Sequence, residues 1–167
     1  DGAAAFGAFG QQVEHQPLYV VPGVCALPPS HRLASREAVH ARDLDGEAFI
    51  SLSLEDGARA RVDRVFEDAG IRRQMTLETP FSAAICALVE QGLGLGLVNP
   101  IAADDYRHTE IVFRPFRPQV MFHGHAMFPS RNREDPLVAG FLSVVREELA
   151  GYQPKPAEDR RPRGMAR

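Results

Sequence analysis

The stretch VEQGLGLGLVNP, residues 89–100, places three glycines at alternate positions between a predicted helix and a predicted strand. A phosphate-binding glycine loop has the opposite order, because there a strand leads into the glycines and a helix N-terminus faces the phosphate. Gly92 is therefore predicted to end the preceding helix in the left-handed conformation. Gly94 and Gly96 are predicted to leave one strand face bare, so that another backbone can approach closely. The order of elements argues against a nucleotide-binding loop.

Hydrophobic periodicity predicts strands that alternate with helices along the chain. An apolar segment with a bend at Pro22 and Gly23 runs through residues 18–29, and a turn or short helix follows at 39–47. The other predicted strands are residues 3–9, 48–53, 74–79, 93–98, 110–116 and 120–128. Strands that alternate with helices are typical of an α/β fold with a parallel-type sheet and crossover connections.

The three predicted helices are marked by local signals. Ser53 and Asp56 have the spacing of a capping box, and Gly70 ends that helix. Thr79 is predicted to cap a second, buried helix with Pro80 at its first position. A third helix opens at Asp135 and Pro136, and one apolar face is expected from Leu137, Phe141, Val144, Val145 and Leu149.

Length and charge limit the classes of protein that fit. The chain has 167 residues, of which 44% are hydrophobic, which suits one domain or two small lobes. Its net charge of -3 argues against a nucleic-acid-binding surface on the folded part of the chain. Residues 153–167 are basic and proline-rich and are predicted to be a disordered, solvated tail rather than a nucleic-acid contact. Because the chain opens at Asp1 in an apolar run, we expect a fragment whose N-terminal portion is missing, and which is unstable or aggregation-prone by itself.

Cys25 and Cys86 lie in apolar runs and are predicted to be small buried hydrophobic residues, not a disulfide or metal pair. That usage fits a reducing compartment, and we expect a cytoplasmic protein. No apolar stretch approaches the roughly 20 residues of a membrane span.

A ligand site is suggested by two places where a strand end, hydroxyl side chains and a helix start follow one another. These are Ser51 with Ser53, and Thr79 with Ser82. In α/β sheets ligands collect beyond the carboxyl ends of strands, and helix N-termini attract anions. The alternative, that each hydroxyl is simply a helix cap, stays open. The predicted effector-binding set is Ser51, Ser53, Thr79, Pro80, Phe81, Ser82, Val98 and Asn99.

Catalytic and metal chemistry find little support. His123 and His125 share one strand face, but no Cys, Asp or Glu lies within two residues to complete a metal site, so strand packing is favoured. His31 lacks a nucleophile partner. We therefore expect no enzyme activity, no catalytic residues, no metal and no cofactor.

The run CALPPSHRLASREAVHARDLDGEAFISLS, residues 25–53, resembles the signature of the effector-binding domain of LysR-type transcriptional regulators. VEQGLGLGLVNP is similar to that family's Val-x-x-Gly-x-Gly strand ending in proline, and DPLVAGFLSVVREEL to its closing helix. The resemblance extends through most of residues 1–152. Arg32 departs from the family pattern, which usually has proline there; the change touches a turn and not the pocket.

The resemblance implies the α/β fold of type 2 periplasmic binding proteins, with two lobes joined by crossing strands. Residues 22–120 would be the second lobe, and residues 1–21 and 121–152 an incomplete first lobe. It also implies a small carboxylate effector in the cleft, homo-oligomers, and DNA binding through an N-terminal winged helix-turn-helix absent from this sequence. LPPSHRL, the CALV helix and LVNP look closest to regulators of opine and amino-acid-derivative catabolism. The alternative is a solute-binding protein of a transporter, which shares the fold.

Overall fold

The computed structural model describes residues 13–152. The predicted strand at 3–9 and the predicted disordered tail at 153–167 lie outside the described residues. The strands are β1 (Val13–Pro22), β2 (Val24–Leu27), β3 (Val39–His40), β4 (Ala48–Leu52), β5 (Gln74–Thr79), β6 (Gly96–Val98), β7 (Val112–Arg117) and β8 (Met121–Pro129). The helices are α1 (Arg59–Ala69), α2 (Ser82–Glu90), α3 (Pro100–Asp104) and α4 (Pro136–Leu149), with short 3-10 turns at Ala41–Leu44, Ser130–Asn132 and Ala150–Tyr152.

The central sheet has the order β3-β7-β2-β6, and the parallel pair β4-β5 joins it beside β6. The junction consists of two backbone hydrogen bonds, from Ile50 N to Leu95 O at 2.8 Å and from Leu95 N to Ala48 O at 3.0 Å. The prediction of a parallel-type sheet is wrong at the centre, since β2 runs antiparallel to both β6 and β7. The physical reason is that β2 continues β1 into the sheet, whereas β7 leads out of it to β8, the antiparallel partner of β1, so the chain passes through β2 and β7 in opposite directions.

Two glycines allow β6 to approach its neighbours, as predicted. A Cβ at Gly96 would lie 2.5 Å from the Ile85 side chain and 2.7 Å from Ile50 O. Gly94 has a φ of +146°, and a Cβ there would lie 2.6 Å from Ala48 O. The left-handed conformation at Gly94 also shortens the strand, which was predicted over 93–98 and begins at Gly96.

β1 and β8 form a separate antiparallel ribbon that leads into and out of the central sheet. The bend predicted at Pro22 and Gly23 is present, and Gly23 N donates to Val120 O at 2.8 Å where the two strands enter the sheet region. A side chain at Gly23 would collide with the Phe122 ring. This close crossing brings β8 next to the elements of the central sheet.

One face of α1 packs into the core, with Val62 and Phe66 buried together with Ala58 at the N-cap. Gly70 ends the helix with a φ of +67°, as predicted. The predicted start at Ser53 is wrong, because the helix begins at Arg59. Asp56 does not complete a capping box: its Oδ1 accepts from Ala58 N at 2.7 Å and shapes a separate turn ahead of the helix.

The second helix also begins later than predicted. Phe81 is extended, with φ -123° and ψ 127°, so α2 starts at Ser82 and Pro80 lies before it. Thr79 Oγ1 accepts from Phe81 N at 3.5 Å, which closes the turn after β5 rather than capping the helix. Ile85, Cys86 and Val89 are buried against the sheet, and Gly92 takes the predicted left-handed conformation with φ +74°.

The last helix begins as predicted, since the Asp135 side chain accepts from Leu137 N at 2.9 Å. The expectation of one apolar packing face is wrong in part. Leu142 is the buried residue of α4, whereas Leu137, Phe141 and Val144 are 82%, 65% and 58% exposed. The helix packs on β1, where Arg146 Nη2 donates to Gln16 Oε1 at 2.7 Å, and the side with Leu137, Phe141 and Val144 is exposed. None of the described helices is long and apolar enough to cross a bilayer.

Candidate functional site

A cavity of about 370 Å³ lies between β8, the N-terminal end of α1 and the start of α2. Its walls come from five separate parts of the chain. It is lined by Tyr19, Asp56, Gly57, Ala58, Arg61, Ser82, Asn99, Phe122, His123 and His125. Its volume falls in the range of small-molecule sites, roughly 300–1,000 Å³.

Asn99 connects three elements at one wall of this cavity. Its Oδ1 accepts from Ile101 N at 3.0 Å and so caps α3, while its backbone N donates to Ser82 Oγ at 3.2 Å. Its Nδ2 donates to Tyr19 Oη at 2.8 Å. The start of α2, the start of α3 and strand β1 are thus held together by one side chain and its backbone.

Gly124 makes room for the Tyr19 ring. A Cβ at Gly124 would lie 2.1 Å from the ring, and the two residues are partners in the β1-β8 ladder. Tyr19 can therefore lie across β8 and reach Asn99 with its hydroxyl. Gly124 thus has a specific steric role within β8.

The cavity lining also carries basic groups. Arg61 is half-buried, and its Nε donates to Met121 O at 2.8 Å. His123 and His125 project from the same face of β8, with ring centroids 6.5 Å apart and an interplanar angle of 14°. Burial, then the positive charges of Arg61 and His125, lower the pKa of His123 below its ordinary value. The expectation that both histidines are strand packing is wrong, because both are exposed and line the cavity.

Two of the eight predicted site residues line the cavity, and six do not. Ser82 and Asn99 line the cavity, whereas Val98 is fully buried in the core and Phe81 is 68% exposed. The remaining four, Ser51, Ser53, Thr79 and Pro80, lie at the ends of β4 and β5 without lining the cavity. Ser53 N donates to Thr79 O at 3.0 Å, so these two strand ends are adjacent. The buried hydroxyl of Ser51 has no hydrogen-bond partner among the described residues. The Ser53 hydroxyl interacts with Glu55, since hydrogen bonds from the Glu55 backbone and from Ser53 lower the pKa of that carboxyl.

Sequence reasoning did not select Tyr19 or Arg61. Neither belongs to a motif: Tyr19 stands in an apolar strand, and Arg61 reads as one of several charged residues on the polar side of a helix. Asp56 was noticed as a capping residue alone. The spacing of His123 and His125 around a glycine was a usable signal, since alternate strand residues share a face. Their convergence with Arg61 depends on the crossing of β8 over α1.

Other titratable and polar candidates have structural roles. Cys25 and Cys86 are buried free thiols, as predicted, and burial raises the pKa of Cys86 to about 11 and that of Cys25 further. His31 Nε2 and Arg32 Nε lie 3.2 Å and 2.9 Å from the Glu47 carboxylate. Arg32 thereby fastens a turn outside the cavity, as the resemblance implied. Among the described residues, no cluster of three or more His, Cys, Asp or Glu side chains could hold a metal ion.

Comparison with known proteins identifies the class of domain. The family model described as the LysR substrate binding domain matches residues 9–150. Regulatory protein NocR of Agrobacterium tumefaciens is 34% identical over 134 residues, which are 80% of this chain and 45% of NocR. Transcriptional activator protein LysR of Escherichia coli is 36% identical over 136 residues, 81% of this chain and 44% of that protein. The octopine catabolism/uptake operon regulatory protein OccR of Rhizobium meliloti is 28% identical over 96 residues, 58% of this chain and 31% of that protein.

The fold agrees with these sequence matches. The crystal structure of the PA01 protein of Pseudomonas aeruginosa, assigned to the LysR family, superposes with a TM-score of 0.68 at 25% identity and covers 83% of this chain and 50% of that chain. This chain spans about half the length of the curated relatives named above. Those relatives regulate transcription, which supports a regulator and gives no support to the transporter alternative. The chain belongs to the LysR family of transcriptional regulators and carries their effector-binding domain, with its type 2 periplasmic-binding-protein α/β fold.

Proposed function

We propose that this domain binds a small carboxylate effector, of the opine or amino-acid-derivative class, in the cavity between β8, α1 and α2. The observation that carries the proposal is the cavity itself, which has Ser82 and Asn99 on its wall at the start of a helix. The first N–H groups of a helix have no intrahelical partner, and together with the helix dipole they favour an anion. Binding of the effector then controls transcription by the whole protein.

Several polar groups support the binding of a carboxylate. Ser82 Oγ accepts from Asn99 N, so its hydroxyl hydrogen is free to point toward a ligand oxygen. Ser51 holds a buried hydroxyl without a partner in the described part of the chain, and Thr79 lies beside Ser53. We propose that these residues, with Pro80, Phe81 and Val98 around them, form the strand-end part of the site when effector is bound.

The class of effector rests on resemblance. OccR is by its name a regulator of octopine catabolism and uptake, and it aligns with 58% of this chain. A ligand with a carboxylate and an amine would also match the acidic and basic groups on the cavity wall, Asp56 and Arg61. Octopine and related amino-acid derivatives are the first compounds to test.

The organisation of the whole protein is part of the same proposal. Residues 22–120 form the second lobe, and residues 1–21 and 121–152 belong to the first; the separate pairing of β1 with β8 supports this division. We also propose DNA contact through a winged helix-turn-helix, homo-oligomerisation and a cytoplasmic location, which membership of the family supports. We propose that the protein acts by binding and not by catalysis.

A ligand screen by thermal shift tests the proposal. Octopine, amino acids and short carboxylates are expected to raise the melting temperature of the purified protein, because a ligand that binds the native state stabilises it by mass action. Nucleotides are expected to have no effect. A shift with nucleotides and none with carboxylates would contradict the proposal.

Two substitutions locate the carboxylate. Thr79→Ala and Ser82→Ala are each expected to weaken effector binding by about 1 kcal/mol or more, the scale of a lost hydrogen bond to a charged group. Ser143→Ala, which removes an exposed hydroxyl of α4, is the control. Calorimetric titration measures the affinities, and melting curves detect any loss of folding. Unchanged affinity in both variants would exclude the start of α2 as the carboxylate site.

A further inference from the structure

Arg61 is a half-buried cation whose guanidinium is mostly uncommitted. Its one hydrogen bond within the described residues runs from Nε to Met121 O, and none of the carboxylates there forms an ion pair with it. The Nη atoms of an arginine form a planar fork that suits a carboxylate. Since Arg61 lines the cavity, that fork is available to a ligand.

The other charged and titratable groups that face Arg61 come from every wall of the cavity. Asp56 is the acidic one, and its Oδ1 is engaged by Ala58 N at 2.7 Å. His123 and His125 lie on β8, and Tyr19, on β1, is bound to Asn99. When the histidines are protonated, this side of the cavity carries up to three positive charges against one negative charge.

Ser82 and Asn99, where we place the first carboxylate, line the same cavity as this basic wall. A ligand with a single acidic group would leave Arg61 unpaired in a partly desolvated site, which is unfavourable. A ligand with two acidic groups could pair with Ser82 and Asn99 through one of them and with Arg61 through the other. The Asp56 carboxylate could pair with an amine of the same ligand.

We propose that the effector carries a second acidic group that is bound by Arg61 together with His123 and His125, so that the domain selects dicarboxylates over monocarboxylates. The inference rests on the proposed carboxylate site at the start of α2. It assigns specificity to residues that belong to none of the motifs found in the sequence. It also predicts that selectivity increases on acidification, because protonated histidines attract an anion and neutral ones do not.

Matched acids provide the probe. Glutarate, adipate and pimelate are each compared by calorimetric titration with the monocarboxylate of equal carbon number: pentanoate, hexanoate and heptanoate. In the best-fitting pair the dicarboxylate is expected to bind about tenfold or more tightly, the scale of a hydrogen bond between charged groups. Equal affinity within every pair would overturn the inference and leave the first carboxylate site standing.

Arg61→Gln separates ligand recognition from a structural role. It is expected to reduce the dicarboxylate preference to less than about threefold, since the charged contact is lost, while the affinity for the monocarboxylate stays unchanged. Arg64→Gln, on the exposed side of the same helix, is the matched control and should behave as the unmodified protein. If Arg61→Gln weakened both acids equally, its role would be structural and the inference would be wrong.

The histidines are tested through pH. Between about pH 8 and pH 6 the dicarboxylate preference of the unmodified protein is expected to rise several-fold, and the double variant His123→Gln/His125→Gln should show a flat profile. A flat profile in the unmodified protein would remove the histidines from the site. If no acid of either series bound at about 10 mM, a limit of very weak affinity, both this inference and the proposed carboxylate site would fail.

Discussion

His123 combines exposure to the cavity with an unfavourable environment for its own proton. Burial and the positive charges of Arg61 and His125 lower its pKa, so the native state favours the neutral ring. The unfolded chain has no such penalty and binds the proton near the ordinary pKa of 6.5. Protonation of this residue therefore works against folding in the absence of ligand, although the same proton would favour an anionic ligand.

A pH series on the ligand-free protein checks the sign of this effect. Because the unfolded state binds more protons at His123, stability is expected to fall as the pH drops from about 7.5 through 6.5 to about 5.5. His123→Gln should reduce this fall, measured as melting temperature at each pH. His15→Gln, an exposed histidine of β1 outside the cavity, is the control and should leave the slope unchanged. An identical slope in the His123 variant would contradict the assignment.

At the scale of elements, the position of β6 depends on the absence of side chains. Gly96 lies between the Ile85 side chain of α2 and the backbone of β4 at Ile50. Both neighbours belong to the buried core, so neither can move aside easily. The same strand ends at Val98 and delivers Asn99 to the cavity, which links the packing of β6 to the geometry of the site.

Gly96→Ala is expected to destabilise the protein by about 2 kcal/mol or more, because overpacking a rigid core forces neighbouring backbone to shift. The comparison is Gly140→Ala in α4, where a Cβ would meet nothing within 4 Å. That variant should be neutral or up to about 1 kcal/mol more stable, since alanine favours a helix. Urea unfolding curves give both values. Equal behaviour of the two variants would show that β6 tolerates a side chain at this position.

At the scale of the whole molecule, the β1-β8 ribbon and the central sheet are connected beside the cavity. The Gly23–Val120 backbone bond lies at the crossing, Arg61 reaches Met121 O, and Tyr19 reaches Asn99. The last of these joins β1 to the start of α3 through side chains alone. The relative placement of the two parts, and hence the shape of the cavity, depends on such contacts.

Tyr19→Phe removes the side-chain bond and keeps the ring packing. It is expected to lower the free energy of unfolding by about 0.5–1.5 kcal/mol, the net value of an ordinary hydrogen bond. Tyr106→Phe is the matched control, since the Tyr106 hydroxyl forms no hydrogen bond within the described part of the chain. Denaturant titration measures the free energy of unfolding of both variants. If Tyr19→Phe lowered it no more than the control does, the Tyr19 hydrogen bond would contribute nothing to stability.

Local signals in the sequence determined much of the element order. Gly70 and Gly92 end their helices because they can adopt positive φ, and Asp135 caps α4. Gly94 and Gly96 have no side chains, which indicated a close backbone neighbour. These properties depend on one residue and its immediate chain. The family could also be identified from the sequence, because several motifs occur in the order that is typical of that family.

The tertiary structure decided what no local pattern contains. The antiparallel setting of β2 follows from where the chain enters the sheet, and the exposure of Phe141 from which side of α4 meets β1. The late starts of α1 and α2 follow from turns at Asp56 and Phe81. The cavity itself joins Tyr19, Arg61 and His123 across long sequence separations. Such convergence is set by strand crossing and packing, so the residue pattern of any one segment could not reveal it.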